Sequence, residues 1–132
     1  MAGVLVDTSS WIEFLRGTGS PADRQLAARF DRGEPVTVTG MIVQEVLQGG
    51  RDERHVAELQ ELLLSCEAVE PVYPETFEHA AALFRRCRQA GRTIRGAVDC
   101  LVAAVAIEHG LSLLANDRDF EPLQRASGLT LL

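Results

Sequence analysis

The sequence contains no lysine: all 13 basic residues among its 132 are arginine, against 19 acidic residues, for a formal net charge of −6. Such a chain lacks the broad cationic surface that coats nucleic acid non-specifically, although a local patch remains compatible with it. The same absence removes the lysine that a receiver domain normally carries beyond a late strand. No apolar stretch reaches the roughly 18 residues that span a bilayer, so no membrane association is expected. No basic segment or cleavage site precedes the first strand, so no secretory leader is expected either. Cysteine is scarce: Cys66, Cys87 and Cys100 are odd in number and lack metal-ligand spacing. They read as buried reduced thiols, which suits a cytoplasmic protein. The glycine fingerprint of a dinucleotide-binding turn is missing. His55, His79 and His109 share no pattern that would make a base or a zinc site.

What is present reads as one α/β domain over residues 1–132, at 46% hydrophobic and 24% charged residues, ordinary proportions for a chain with a real core. Val4–Asp7 is expected as a buried strand, followed by a short helix carrying Trp11, Phe14 and Leu15, with Ser10 and Glu13 as a capping box. Ser20-Pro21-Ala22-Asp23 is a strong helix start, and that helix buries Leu26 and Phe30. Val36–Val38 reads as a second strand. The next helix has its apolar stripe on Ile42, Val43, Val46 and Leu47. A further helix carries Val56, Leu59, Leu62 and Leu63, and Ala68–Val72 is a short strand candidate. Pro74 opens a helix expected to turn Phe77, Ala80, Ala81 and Phe84 inward. Ala97–His109 is apolar or small nearly all round and reads as a buried helix. Ser112–Ala115 is a strand, and Leu129–Leu132 is a candidate edge strand. Strands alternating with helices indicate a three-layer domain with a central parallel sheet flanked by helices.

Four acids stand where strands end or buried helices begin: Asp7, Glu45, Asp99 and Asp117. Each has a bland reading. Asp7 suits a helix cap. Glu45 alone resembles any exposed helix glutamate. Asp99 could rest on first-turn amides, and Asp117 could be a turn acid. Together the bland readings do worse. A doubly wound sheet brings strand ends on one edge into one crevice, where unmetallated carboxylates repel and raise one another's pKa values. Oxygen donors select Mg²⁺ or Mn²⁺ over softer metals, and such ions support phosphodiester chemistry. Asp119 is a candidate fifth carboxylate. Thr8 or Ser9 offers a hydroxyl as a ligand or as a supporting hydrogen bond.

Five arginines, Arg85, Arg86, Arg88, Arg92 and Arg95, fall in one short segment. Arginine near a helix end complements the dipole and stays solvated. As a group, Arg88, Arg92 and Arg95 are candidates for gripping an RNA backbone that the acids would otherwise repel.

The segments Val4-Leu5-Val6-Asp7-Thr8-Ser9, Val43-Gln44-Glu45-Val46-Leu47-Gln48-Gly49, Ala97-Val98-Asp99-Cys100-Leu101-Val102-Ala103-Ala104 and Leu114-Ala115-Asn116-Asp117-Arg118-Asp119-Phe120 resemble, in order and spacing, PIN-domain ribonucleases of the VapC toxin type. No single motif is specific; their succession over nearly the whole chain is. The resemblance implies Asp7, Glu45, Asp99 and Asp117 as an acidic quartet, with Mg²⁺- or Mn²⁺-dependent RNA cleavage. It also implies a homodimer and inhibition by a small VapB-like antitoxin. The chain departs from the pattern at Ala115, where the family often carries Ser or Thr. A haloacid-dehalogenase-like phosphatase would need a second Asp where Ser9 stands. The remaining alternative is a PIN-like RNA- or protein-binding module with a vestigial metal pocket.

Overall fold

The computed structural model describes residues 3–94 and 96–132. Arg95 therefore lies outside the described residues. Strand β1 (Val4–Val6) is followed by helices α1 (Thr8–Arg16) and α2 (Pro21–Asp31), then β2 (Val36–Val38), α3 (Gly40–Gln48), α4 (Glu53–Leu64) and β3 (Glu67–Ala68). The chain continues through α5 (Glu75–Gln89), α6 (Ala97–Glu108), β4 (Ser112–Leu114), a single 3-10 turn (Arg118–Phe120) and α7 (Glu121–Ala126). The sheet has the order β3-β2-β1-β4 and every pairing is parallel. Val4 stands opposite both Val36 and Ser112.

All three residues of β1 are buried, as a central strand covered on both faces requires. Because β2 lies on one side of β1 and β4 on the other, the chain reverses its winding direction there. The crevice of a parallel sheet opens at such a point, outside the carboxyl ends of the strands. Trp11, Leu26, Ile42, Leu83, Val102, Leu113 and Phe120 fill the core. Trp11, Phe14 and Phe30 pack as an aromatic cluster, with ring centroids 5.5 to 6.1 Å apart. Among the described residues, no helix is long and apolar enough to cross a membrane.

Several local expectations hold. The Ser20 hydroxyl accepts from the N–H of Asp23, with Pro21 in the first turn, and β2 has the expected bounds. Others are corrected. Ser10 does not cap α1; Asp7 does, by accepting from the N–H of Ser9. Ser10 lies inside the helix, fully buried. The stripe that α5 buries is Thr76, Ala80, Leu83 and Cys87, leaving Phe77 46% exposed and Ala81 outside. Ala80 is buried as expected, and Phe84 packs partly buried against the core. The strand expected over Ala68–Val72 is only Glu67–Ala68. The C-terminal strand reduces to one parallel bridge, Leu113 to Leu131.

Candidate active site

Each acid owes its position to a separate element. Asp7 directly follows β1 and has extended backbone angles as the cap of α1. It is 7% exposed. Its Oδ2 accepts from the Ser9 N–H at 3.0 Å and from the Ser9 hydroxyl at 2.6 Å. Asp99 lies in the first turn of α6, whose cap, Gly96, supplies no side-chain bond. Asp117 follows β4 and caps the 3-10 turn, its Oδ1 accepting from the Asp119 N–H at 2.9 Å. Phe120, fully buried at the end of that turn, pins it to the core.

Asp99, Asp117 and Asp119 form the tightest group, each offering a carboxylate oxygen within 4.8 Å of the others. Asp119, the candidate fifth acid of the sequence, is thus part of the closest set. Asp7 and Glu45 lie outside it, but both are near enough to act on Asp99 through their charge. Burial, and then the carboxylates of Asp7, Asp117, Asp119 and Glu45, push Asp99 up to about 6. Among the described residues, no hydrogen bond to Asp99 counters those effects. The Asp7 carboxyl is also raised, by burial first; the hydrogen bonds from Ser9 and Thr8 pull it back, and Asp117 pushes it further up. Among the described residues, no arginine or histidine forms an ion pair with Asp7, Glu45, Asp99 or Asp117.

Two hydroxyls tie the set together, in the supporting role that the sequence offered for Thr8 or Ser9 as the alternative to a ligand. Ser9 Oγ donates to Asp7 while accepting the backbone N–H of Asn116 at 2.9 Å. Thr8 Oγ1 donates to Glu45 Oε1 at 2.9 Å. Both act on carboxylates, which makes them supporting hydrogen bonds. The spacing of Thr8 and Ser9 after Asp7 was visible; the partners 37 and 107 residues away were not.

The donor set consists of carboxylate oxygens, without sulfur or imidazole. This is the chemistry that holds hard divalent cations, so the residues fit such an ion. An apolar groove of about 460 Å³ between α5 and α6, lined by Phe77, Ala81, Phe84, Val98 and Leu101, contains none of the acids.

Known proteins agree with this geometry. The PIN domain family matches residues 4–126. The chain belongs to the PIN-domain family. Over 96% of its length this PIN domain is 34% identical to the VapC ribonuclease Mb1587 of Mycobacterium bovis, covering 95% of that protein. It matches ribonuclease VapC11 of Mycobacterium tuberculosis to the same extent, 34% over 96% of this chain and 95% of that one. In fold it is similar to VapBC2 from Rickettsia felis, solved bound to a promoter DNA fragment, with a TM-score of 0.76 at 16% identity over 98% of this chain and 97% of that one.

Proposed function

We infer that this PIN domain is a metal-dependent ribonuclease, the toxin of a VapBC-type toxin–antitoxin pair. The observation that carries the reading is the convergence of five carboxylates at one edge of the sheet, in a chain that aligns over 96% of its length with proteins named VapC ribonucleases. Buried like charges are costly unless something compensates them, and a divalent cation does so directly.

Asp99, Asp117 and Asp119 would hold the ion, with Asp7 completing the site and Glu45 at its margin. Mg²⁺ or Mn²⁺ suits these donors. When bound, such an ion lowers the pKa of water and neutralises charge developing on a phosphate. The chain's own residues supply the rest. Ser9 fixes the direction of Asp7, and Thr8 fixes that of Glu45. Arg88 and Arg92, with Arg95, would hold the RNA backbone against the repulsion of the acids. The single domain spans residues 1–132, acts in the cytoplasm and pairs as a homodimer.

The antitoxin is a VapB-like peptide. Trp11 cannot receive it, because that ring is fully buried. Ile12 and Leu15 are exposed and line a groove of about 280 Å³ with Arg16, Glu45, Val46, His55 and Leu59. A peptide with apolar side chains would dock there as a helix or strand in a groove. A cationic residue on it would reach the Glu45 margin.

Purified protein should cleave RNA only with Mg²⁺ or Mn²⁺, and Asp7→Asn or Asp99→Asn should abolish cleavage and relieve toxicity on expression. Undiminished cleavage in excess chelator, or full toxicity of both variants, would refute the reading.

A further inference from the structure

The end of α5 carries an anomaly that the metal site does not explain. Arg92 is only half-buried, yet its Nη1 is sealed from solvent and meets no hydrogen-bond acceptor among the described residues. A buried guanidinium nitrogen without an acceptor loses its hydration and gains nothing in return. Such a group marks a place where an acceptor belongs.

The local backbone explains why Arg92 sits there. Helix α5 ends in a left-handed glycine, Gly91 at φ 72°. The Gly91 N–H donates to the Arg88 carbonyl at 3.0 Å and the Arg92 N–H to the Cys87 carbonyl at 2.8 Å. This closing motif satisfies the last carbonyls of the helix and folds residue 92 back over the helix end. There Arg92 borders a cavity of about 390 Å³ with Phe84, Arg88, Gly91, Thr93 and Ile94. Two of the six lining residues are cationic and none is acidic. The Arg88 guanidinium lies 6.0 Å from the centre of the Phe84 ring, held beside the cavity rather than loose in solvent.

The segment following the notch leads within a few residues to Asp99 in the first turn of α6. From the same turn of α5, the Cys87 thiol donates to the Pro122 carbonyl at 3.8 Å, just beyond the 3-10 turn that carries Asp119. Both connections tie the end of α5 to the segments that carry Asp99 and Asp119. A chain of net charge −6 can hold a polyanion only through local features of this kind.

We propose that the Arg88–Arg92–Thr93 notch is a subsite for one non-scissile phosphate of the RNA. The inference rests on the ribonuclease reading. The phosphate would accept from the Arg88 guanidinium, from the Thr93 hydroxyl and from the Arg92 guanidinium, whose side chain would turn Nη1 out of its buried position to meet it. Arginine forks suit phosphate oxygens. The notch would fix the register of the strand, so that the bond to be cut reaches the carboxylates.

The test uses the full-length protein and a short cleavable RNA in which each phosphate in turn is replaced by an uncharged methylphosphonate. In the wild type, one non-scissile position should raise KM by about tenfold with kcat little changed, the size expected for a charge-assisted hydrogen bond. In Arg92→Ala the same substitution should cost less than about twofold, because the partner is already gone. Arg92→Lys, which keeps the charge, should restore part of the sensitivity. Should Arg92→Ala fail to fold, Arg88→Ala and Thr93→Ala give the same readout. Cleavage by the wild type with every position equally sensitive in wild type and variants overturns the notch and leaves the ribonuclease reading standing. Absence of cleavage of any RNA with any divalent cation overturns both.

Discussion

The backbone N–H of Asn116 donates to the hydroxyl of Ser9 at 2.9 Å, across 107 residues of sequence. The same hydroxyl donates to Asp7. One side chain therefore adds a second tie between the carboxyl ends of β1 and β4, beside the bond from the Asp7 N–H to the Leu114 carbonyl at 2.9 Å, and links the Asp7 carboxylate to the segment that carries Asp117.

Replacing Ser9 by Ala should loosen that link without unfolding the protein. Removing a hydrogen bond that orients a metal-binding carboxylate typically costs about 10–100-fold in metal affinity or activity. Titration calorimetry with Mn²⁺ and a cleavage assay should both register a loss in this range. Wild-type values for Ser9→Ala would mean that Asp7 is positioned by its backbone alone.

The acids should not contribute equally. Asp119→Asn should weaken metal binding more than Glu45→Gln, because Asp119 belongs to the group within 4.8 Å and Glu45 does not. Equal losses in metal titrations of the two variants would show that the bound ion draws Glu45 inward.

Without metal, Asp99 should destabilise the fold at neutral pH. Its carboxyl is raised from 3.8 to about 6 in the folded protein. Between those values the native state retains a proton that the unfolded chain has lost, so stability falls as pH rises through the window. Asp99→Asn should raise the apo Tm at pH 7.5, by about 1 kcal/mol of stability after allowing for its partial exposure. At pH 3.5 the gain should vanish. A constant Tm difference across this range would contradict the assignment. Because the ion must displace that proton, its affinity should fall as pH drops below about 6.

Thr76 gives a contrast remote from the acids. Fully buried, it accepts from the Val72 N–H at 2.8 Å and donates to Glu108 Oε1 at 2.6 Å. Thr76→Val keeps the shape and leaves polar groups unpaired, at a cost of about 1–3 kcal/mol. Urea denaturation should show the loss while metal affinity stays unchanged. An equal loss of metal affinity would mean that α5 and α6 shift together.

Most of the frame was legible in the sequence because its local signals agree with its tertiary role. Ser20, Pro21 and Asp23 specify a helix start that nothing else disputes, and Val36–Val38 can only be buried. Asp7, Asp99 and Asp117 were legible because acids beside apolar segments are costly without a purpose. Conflicting signals produced the misreadings. Ser10 and Glu13 have the spacing of a capping box, but Asp7 caps the helix earlier. In α5, Ala80 and Phe84 turn toward the core as their spacing suggests, whereas the buried stripe runs on through Thr76, Leu83 and Cys87 and leaves Phe77 and Ala81 exposed. The tight grouping of Asp119 with Asp99 and the bridges from Thr8 and Ser9 depend on distant partners, which no local pattern encodes.

The order of the strands also has a consequence in time. The central strand is made before its neighbours, but β4 spans Ser112–Leu114, and Asp117 and Asp119 follow it. A chain emerging from the ribosome without those residues has β1 bare on one side and lacks two of the three clustered acids. Contacts so remote in sequence form late. The nuclease thus becomes competent only after nearly all of these residues have been synthesised, so the RNA around a nascent chain is not exposed to it during most of its own translation.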